Sequence, residues 1–362
     1  MKVHVPRKFL ADSLNHVERI IPNRSSNPAL SLLQIDVNSE GMTLSGSNLD
    51  IDIEASLSSD AQGSGKYALP AQVFSQVIKS LPGDLVELSF TESELGIESG
   101  SYGTKLQLAN AGSGVAPEFP EEYGGTLNAP DLAKALSHVR YAAAVAEYQA
   151  IFRGVKLELT GDHTRAIATD GFRLAYYNLP NLSGLNEDMV IPARSVDELT
   201  KVLGSGDVKL SVNDGQLSVH SGSIRSNIKL MEGNFPDYNR VIPATFPISV
   251  TLSGEDLGEA VSRVAVMADK TANNRVDMFI KDGSLQITAE GAYGRSQEAL
   301  EVVQEGDDTE IALAYNAKYL VDALTPIEGD IKLSFSGTTS PSVMRSLKDP
   351  NYLAMVVPLR TG

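Results

Sequence analysis

Residues 9–17 read FLADSLNHV, residues 131–139 read DLAKALSHV, and residues 256–264 read DLGEAVSRV. Laid in register, Leu10, Leu132 and Leu257 coincide, then Leu14, Leu136 and Val261, then Val17, Val139 and Val264. The offsets are 122 and 125 residues at each position. Apolar residues at i, i+4 and i+7 form one stripe of an amphipathic helix. A helix text that returns at a fixed interval marks an internally repeated chain. A third of 362 residues is about 121, so three such repeats fill the sequence.

Further landmarks recur at nearly the same interval. Leu69-Pro70-Ala71 precedes VFSQVIKSL, and Ile191-Pro192-Ala193 precedes SVDELTKVL; NAKYLVDAL from Asn316 takes the matching place without the proline. Each run ends at a Gly-Asp turn: Gly83-Asp84, Gly206-Asp207 and Gly329-Asp330. Proline just inside a helix start and glycine just after its end are the expected punctuation. The strand texts LVELSF, VKLSV and IKLSF follow at once.

Between the two helices of each repeat the text alternates apolar and polar residues. SLLQIDVNSEGMTLSGSNLDIDIEASL does so around a Glu40-Gly41 turn, and its counterparts are GVKLELTGDHTRAIATDGFRLAYYNL and MFIKDGSLQITAEGAYGRSQEAL. Each repeat thus predicts two helices and roughly eight short antiparallel strands, an α+β unit. The expected domains are 1–120, 126–245 and 247–362, with junctions at the Pro/Gly-rich stretch 116–128 and the segment 243–249, and the region 112–125 reads as a linker.

Composition narrows the function. With 42% hydrophobic and 21% charged residues, the chain has material for real cores and is not disordered. A formal charge of -16 argues against a surface that grips DNA or anionic lipid throughout. The absence of cysteine excludes a disulfide scaffold, a zinc ribbon, an iron–sulfur site and a thiol nucleophile. The opening MKVHVPRKFLADSLNHVERI is broken by charges, so neither a signal peptide nor a membrane span is expected, and the protein reads as soluble and cytoplasmic.

Motifs of catalysis are missing. GxGxxG, GxxxxGK[ST] and GxSxG do not occur, and His4, His16, His138, His163 and His220 show no HxxxH or HxH spacing. Asp50, Asp52 and Glu54 could ligate a metal from one strand face, as a hydrolase on a repetitive α+β scaffold would need. A solvated charge ladder opposite buried Leu49, Ile51 and Ile53 accounts for them without one. An acidic β-rich adhesion module would call for a secretion signal. No catalytic residue, metal or cofactor is expected. The charge distribution says more. The six helical segments 6–19, 70–81, 129–143, 192–203, 253–270 and 315–324 hold eleven basic and ten acidic residues, leaving -17 to the strands and loops. Arg7, Lys8, Lys79, Lys134, Arg140, Arg194 and Lys201 are among the basic groups.

Three segments remain: ATDGFRLA at 168–175, NFPDYNRVIP at 234–243 and VVPLR at 356–360. With the threefold repeat, their order and spacing resemble the bacterial sliding clamp family, the beta subunit of DNA polymerase III, over essentially the whole chain. Phe172 stands where that family usually has histidine, Leu359 replaces a methionine, and Thr361-Gly362 extend the end.

The resemblance implies a head-to-tail homodimeric ring whose helices line a channel for duplex DNA, held topologically. It also implies an apolar groove between the second and third repeats for short hydrophobic motifs. The partners would be the DNA polymerase III alpha subunit, the clamp loader, other polymerases and repair proteins. Carried over by position, the groove would use Phe152, Thr169, Gly171, Phe172, Arg173 and Leu174 from the second repeat, with Pro236 and Val241 beyond them. Met355, Val357, Pro358, Leu359 and Arg360 would supply the wall opposite Leu174 and Val241. Arg24, Lys79, Arg140, Arg194 and Lys201 are the candidates for contacting DNA phosphates. Leu106 and Leu108 on an edge strand would meet the third repeat near Met267 across the ring interface.

Overall fold

The computed structural model describes residues 1–110, 112–145, 150–160, 163–180 and 184–360, without the side chains of Thr160 and His163. Thr361 and Gly362 lie outside the described residues. Six helices occupy the expected places: α1 (Arg7–Val17), α2 (Ala71–Ser80), α3 (Ala129–Val139), α4 (Ala193–Val202), α5 (Gly254–Val264) and α6 (Ala317–Leu324). The nine stripe residues of α1, α3 and α5 are each at most 1% exposed. That burial is what makes these short helices stable, since propensity alone would not. Pro70 directly precedes α2, whereas Asn316 caps α6 by accepting from the Lys318 amide.

Two helices end earlier than their sequence suggests. Single 3₁₀ turns, Arg140–Ala142 and Ala265–Met267, follow α3 and α5. Ala143 and Ala268 then turn extended. The second turn lies so close to the strand Ser284–Gly291 that a Cβ on Gly291 would stand 2.4 Å from the Met267 carbonyl oxygen.

Contacts divide the chain into two units, and the strands of each pair antiparallel. The first contains Met1–Ala133 and Arg194–Leu230. Its five-stranded sheet runs in the order Asp60–Gln62, Lys2–Pro6, Leu85–Phe90, Glu94–Ser99, Tyr102–Gln107. Its eight-stranded sheet joins Gly41–Ser47 and Ile51–Leu57 of the first repeat to Ile224–Lys229 and Gln216–Ser221 of the second. The second unit contains most of 134–193 and the described residues from Met231 onward. Its nine-stranded sheet likewise joins His163–Thr169 and Arg173–Leu179 of the second repeat to Tyr352–Val356 and Ser342–Ser346 of the third. Its four-stranded sheet has Gly294–Glu301 at one edge. Sheet pairing therefore crosses both repeat junctions.

Three local expectations change. Leu49 is not on a buried face: it occupies a left-handed turn (φ 74) and is 64% exposed, and the strand begins at Ile51. Glu54 is not part of a solvated ladder but pairs with Arg225 across the junction. The stretch 112–125 is not a free linker, because Asn227 Nδ2 donates to the Glu118 carbonyl at 2.7 Å and the Arg225 guanidinium lies 4.7 Å over the Phe119 ring. No described helix is long and apolar enough to cross a membrane.

Candidate functional site

The site is built on the hairpin whose turn is Thr169-Asp170-Gly171-Phe172. Thr169 Oγ1 accepts from the Gly171 amide at 3.1 Å and donates to the Arg173 carbonyl at 2.7 Å. Asp170 Oδ1 accepts from the amides of Phe172 and Arg173 at 2.9 and 3.0 Å. These bonds fold the turn through a left-handed residue, supplied by Gly171 (φ 87) at no steric cost. The consequence is that Phe172 is held out of the sheet, 61% exposed. Phe152 lies against the turn, 4.0 Å from where a Gly171 Cβ would be.

Below the turn lies an apolar floor. Leu174 and Met355 face each other across paired strands and are buried with Ile167, Val343, Leu353 and Tyr238. Tyr176, Phe235, Ile242 and Phe246 pack partly buried against them. Phe235 meets the Phe152 ring edge-on at 6.3 Å. Val241, 49% exposed, and exposed Pro236 flank Tyr238 in sequence. Tyr238 is anchored by its hydroxyl, which donates to Glu158 at 2.6 Å and accepts from Arg165 at 3.0 Å. Burial, then the bond to Glu158, pushes that hydroxyl's pKa up, so it stays a donor.

The tail completes the arrangement. The Val357 amide donates to the Phe172 carbonyl at 2.8 Å and the Leu359 amide to the Ala314 carbonyl at 2.7 Å. Pro358 is buried, Val357 and Leu359 are half-buried, and Arg360 is exposed. Leu174 and Met355 are thus neighbours in one floor, not opposite walls. Arg173 also departs from expectation. Its guanidinium is buried, donating to Asp170 at 3.0 Å and to Asp322 on α6 at 2.5 Å, with the Tyr319 and Tyr141 rings 4.5 and 5.5 Å away. It fastens the turn to the third repeat.

Sequence reasoning missed the floor residues Ile167, Tyr176, Val343 and Leu353 and the flank residues Phe235 and Phe246. Ile167 and Tyr176 could have been found, since alternation puts them on the same face as Thr169 and Leu174.

The remaining candidates lie elsewhere. Leu106 is on the edge strand Tyr102–Gln107 and Leu108 just beyond it, both half-buried. Half-buried Met267 is next to Val266, which is 77% exposed. Arg24 and Arg194 are exposed with no ion pair among the described residues. Lys79 pairs with Glu18, Lys201 with Glu198 at 2.8 Å, and Arg140 Nε donates to the Ala193 carbonyl at 2.8 Å.

Three family models match in succession: the DNA polymerase III beta subunit N-terminal domain over residues 1–113, its central domain over 126–237 and its C-terminal domain over 239–360. The chain belongs to the DNA polymerase III beta subunit family. The beta sliding clamp of Streptococcus pneumoniae serotype 4 is 28% identical over 382 residues, 99% of each chain. That of Staphylococcus epidermidis is 24% identical over 377 residues, 100% of each. Among solved structures, the sliding clamp of Bacillus subtilis superposes with a TM-score of 0.93 at 25% identity, covering 100% of both chains. A sliding clamp of Pseudomonas aeruginosa bound to griselimycin shares the fold with a TM-score of 0.94 at 23% identity and the same coverage. As a beta subunit, this chain is a DNA sliding clamp, a processivity factor for a DNA polymerase. The hydrolase alternative finds no support: Glu54 is engaged by Arg225, and no group of three or more ligating side chains occurs among the described residues.

Proposed function

We propose that two copies of the chain close head to tail into a ring around duplex DNA, hold it by enclosure, and catalyse nothing themselves. The three clamp domains would span 1–120, 126–245 and 247–362. The observation that carries the tethering role is the buried apolar cluster around Leu174 and Met355 with exposed Phe172 and Val241 near it, which we read as the floor and flanks of a groove. Such a groove suits a short extended peptide with apolar anchors. The occupants would be segments of the DNA polymerase III alpha subunit, the clamp loader, other polymerases and repair proteins, in the cytoplasm.

Ring closure needs a heterologous interface whose rotation closes. The edge strands Tyr102–Gln107 and Gly294–Glu301, near Leu106, Leu108 and Met267, are suited to pair between copies. A charge of -16 fits enclosure better than a tight basic grip. Arg24 and Arg194, both exposed and without an ion pair among the described residues, are the best placed of the five candidate cations for passing phosphate contacts. Fluorescence anisotropy with a labelled Leu/Phe-rich peptide tests the tethering role. Saturable binding that unlabelled peptide competes away is the expected result, and no binding at high micromolar protein would contradict it.

A further inference from the structure

The groove has a counterpart at the junction of the first and second repeats. There Ser47 Oγ accepts from the Leu49 amide at 3.1 Å, and Asn48 Oδ1 accepts from the amides of Asp50 and Ile51 at 3.0 and 2.9 Å. Three of the four side-chain bonds of the Thr169–Asp170 turn thus recur, displaced by 122 residues, and Leu49 takes the left-handed place of Gly171. Sheet register extends the match. Thr169, Leu174, Met355 and Val343 lie in one row across four strands. Ser47, Asp52, Asn227 and Ser218 form the corresponding row. In the next row, Tyr176 and Leu353 become Glu54 and Arg225.

The two floors are therefore the same in backbone and opposite in chemistry. Asn227, 1% exposed, accepts from Ser218 Oγ at 2.7 Å and donates to the Glu118 carbonyl, so it also holds the chain's own segment over the floor. An apolar side chain laid here would bury the Asp52 carboxylate and displace the bond to Glu118 with nothing to replace either. We infer that Asp52 and Asn227 are specificity-determining residues, closing the first junction to hydrophobic peptides so that each chain captures partners at one groove only. Rejection by unpaired polar groups is an established route to discrimination.

This rests on the groove reading above, and the test separates the two. A photo-crosslinking Leu/Phe-rich peptide is titrated by calorimetry against the full chain. One peptide per wild-type chain is expected, with crosslinks confined to the groove around Phe172. The floor exchange Asp52→Leu with Asn227→Met, shown by thermal melting to be folded, should raise the stoichiometry to two and add crosslinks near Leu49. Two peptides per wild-type chain, or any wild-type crosslink near Leu49 or Phe119, would overturn the inference. So would a folded exchange variant that still takes one. A wild-type chain that takes none overturns the groove reading, and this inference with it.

Discussion

Leu174 is 1% exposed and lies directly opposite Met355. Truncating it to alanine should weaken an apolar peptide by about 1–2 kcal/mol. The same change leaves a cavity in a packed cluster, at a cost to folding of about 2–5 kcal/mol. Anisotropy must therefore be read beside a thermal melt, and unchanged peptide affinity in a folded Leu174→Ala protein would contradict the floor assignment. His138 makes a prediction about pH. Its ring packs edge-on to Tyr177 and Tyr352 at 5.1 and 5.7 Å. Burial, then the Lys134 cation, holds the imidazole below its ordinary pKa. With the native pKa below the unfolded one, the unfolded chain takes up the proton first as pH falls. Stability from this source is complete above the unfolded value of about 6.5 and declines as pH drops below it. His138→Gln should flatten the fall in melting temperature between about pH 7 and pH 5. His16, lowered by burial and Arg19, keeps part of that slope in the variant. A slope unchanged by the substitution would contradict the assignment.

At the scale of elements, the tail decides most. Tyr352–Val356 is an internal strand, paired to Arg173–Leu179 on one side and Ser342–Ser346 on the other. Deletion from Met355 would strip partners from both neighbours and weaken the sheet. Deletion from Val357 removes only the segment that lies against Phe172. That shorter protein should fold and dimerise by sedimentation yet lose more than about tenfold in peptide affinity, since a short peptide has little binding energy to spare. Undiminished affinity would contradict the tail's place in the groove. Much of this scale was legible in the sequence. The stripe Leu10, Leu14, Val17 and its two echoes located three helices, because helical periodicity is a local property. What stayed hidden was which strands pair across junctions. Alternation tells which face of a strand is buried but not which neighbour it takes, and Asp52 meets Asn227 from 175 residues away. Arg173 was misplaced for the same reason, as its partner Asp322 lies 149 residues on. Leu49 escaped because its turn is set by the side chains of Ser47 and Asn48, not by hydrophobic pattern.

For the whole molecule, the ring reading predicts a dimer of about 77 kDa from two chains of 38.7 kDa. Replacing Leu106 and Leu108 with aspartate would bury uncompensated charge at the proposed interface. Sedimentation should then show a folded monomer, and an intact dimer would move the interface elsewhere. Neutralising Arg24 and Arg194 should slow loading on DNA while leaving retention on closed circles unchanged at moderate salt, because retention by enclosure needs no fixed phosphate contacts. The threefold repeat and the excess of negative charge meet in this one property: a chain that repels DNA overall can still hold it by surrounding it. The decisive measurement is retention of loaded protein on nicked circular DNA before and after the circle is cut. Protein that stays on the circle through a salt wash and runs off once the DNA is linear is the result predicted here. Equal loss from circular and linear DNA, or retention that falls steeply with salt as for several phosphate contacts, would contradict it.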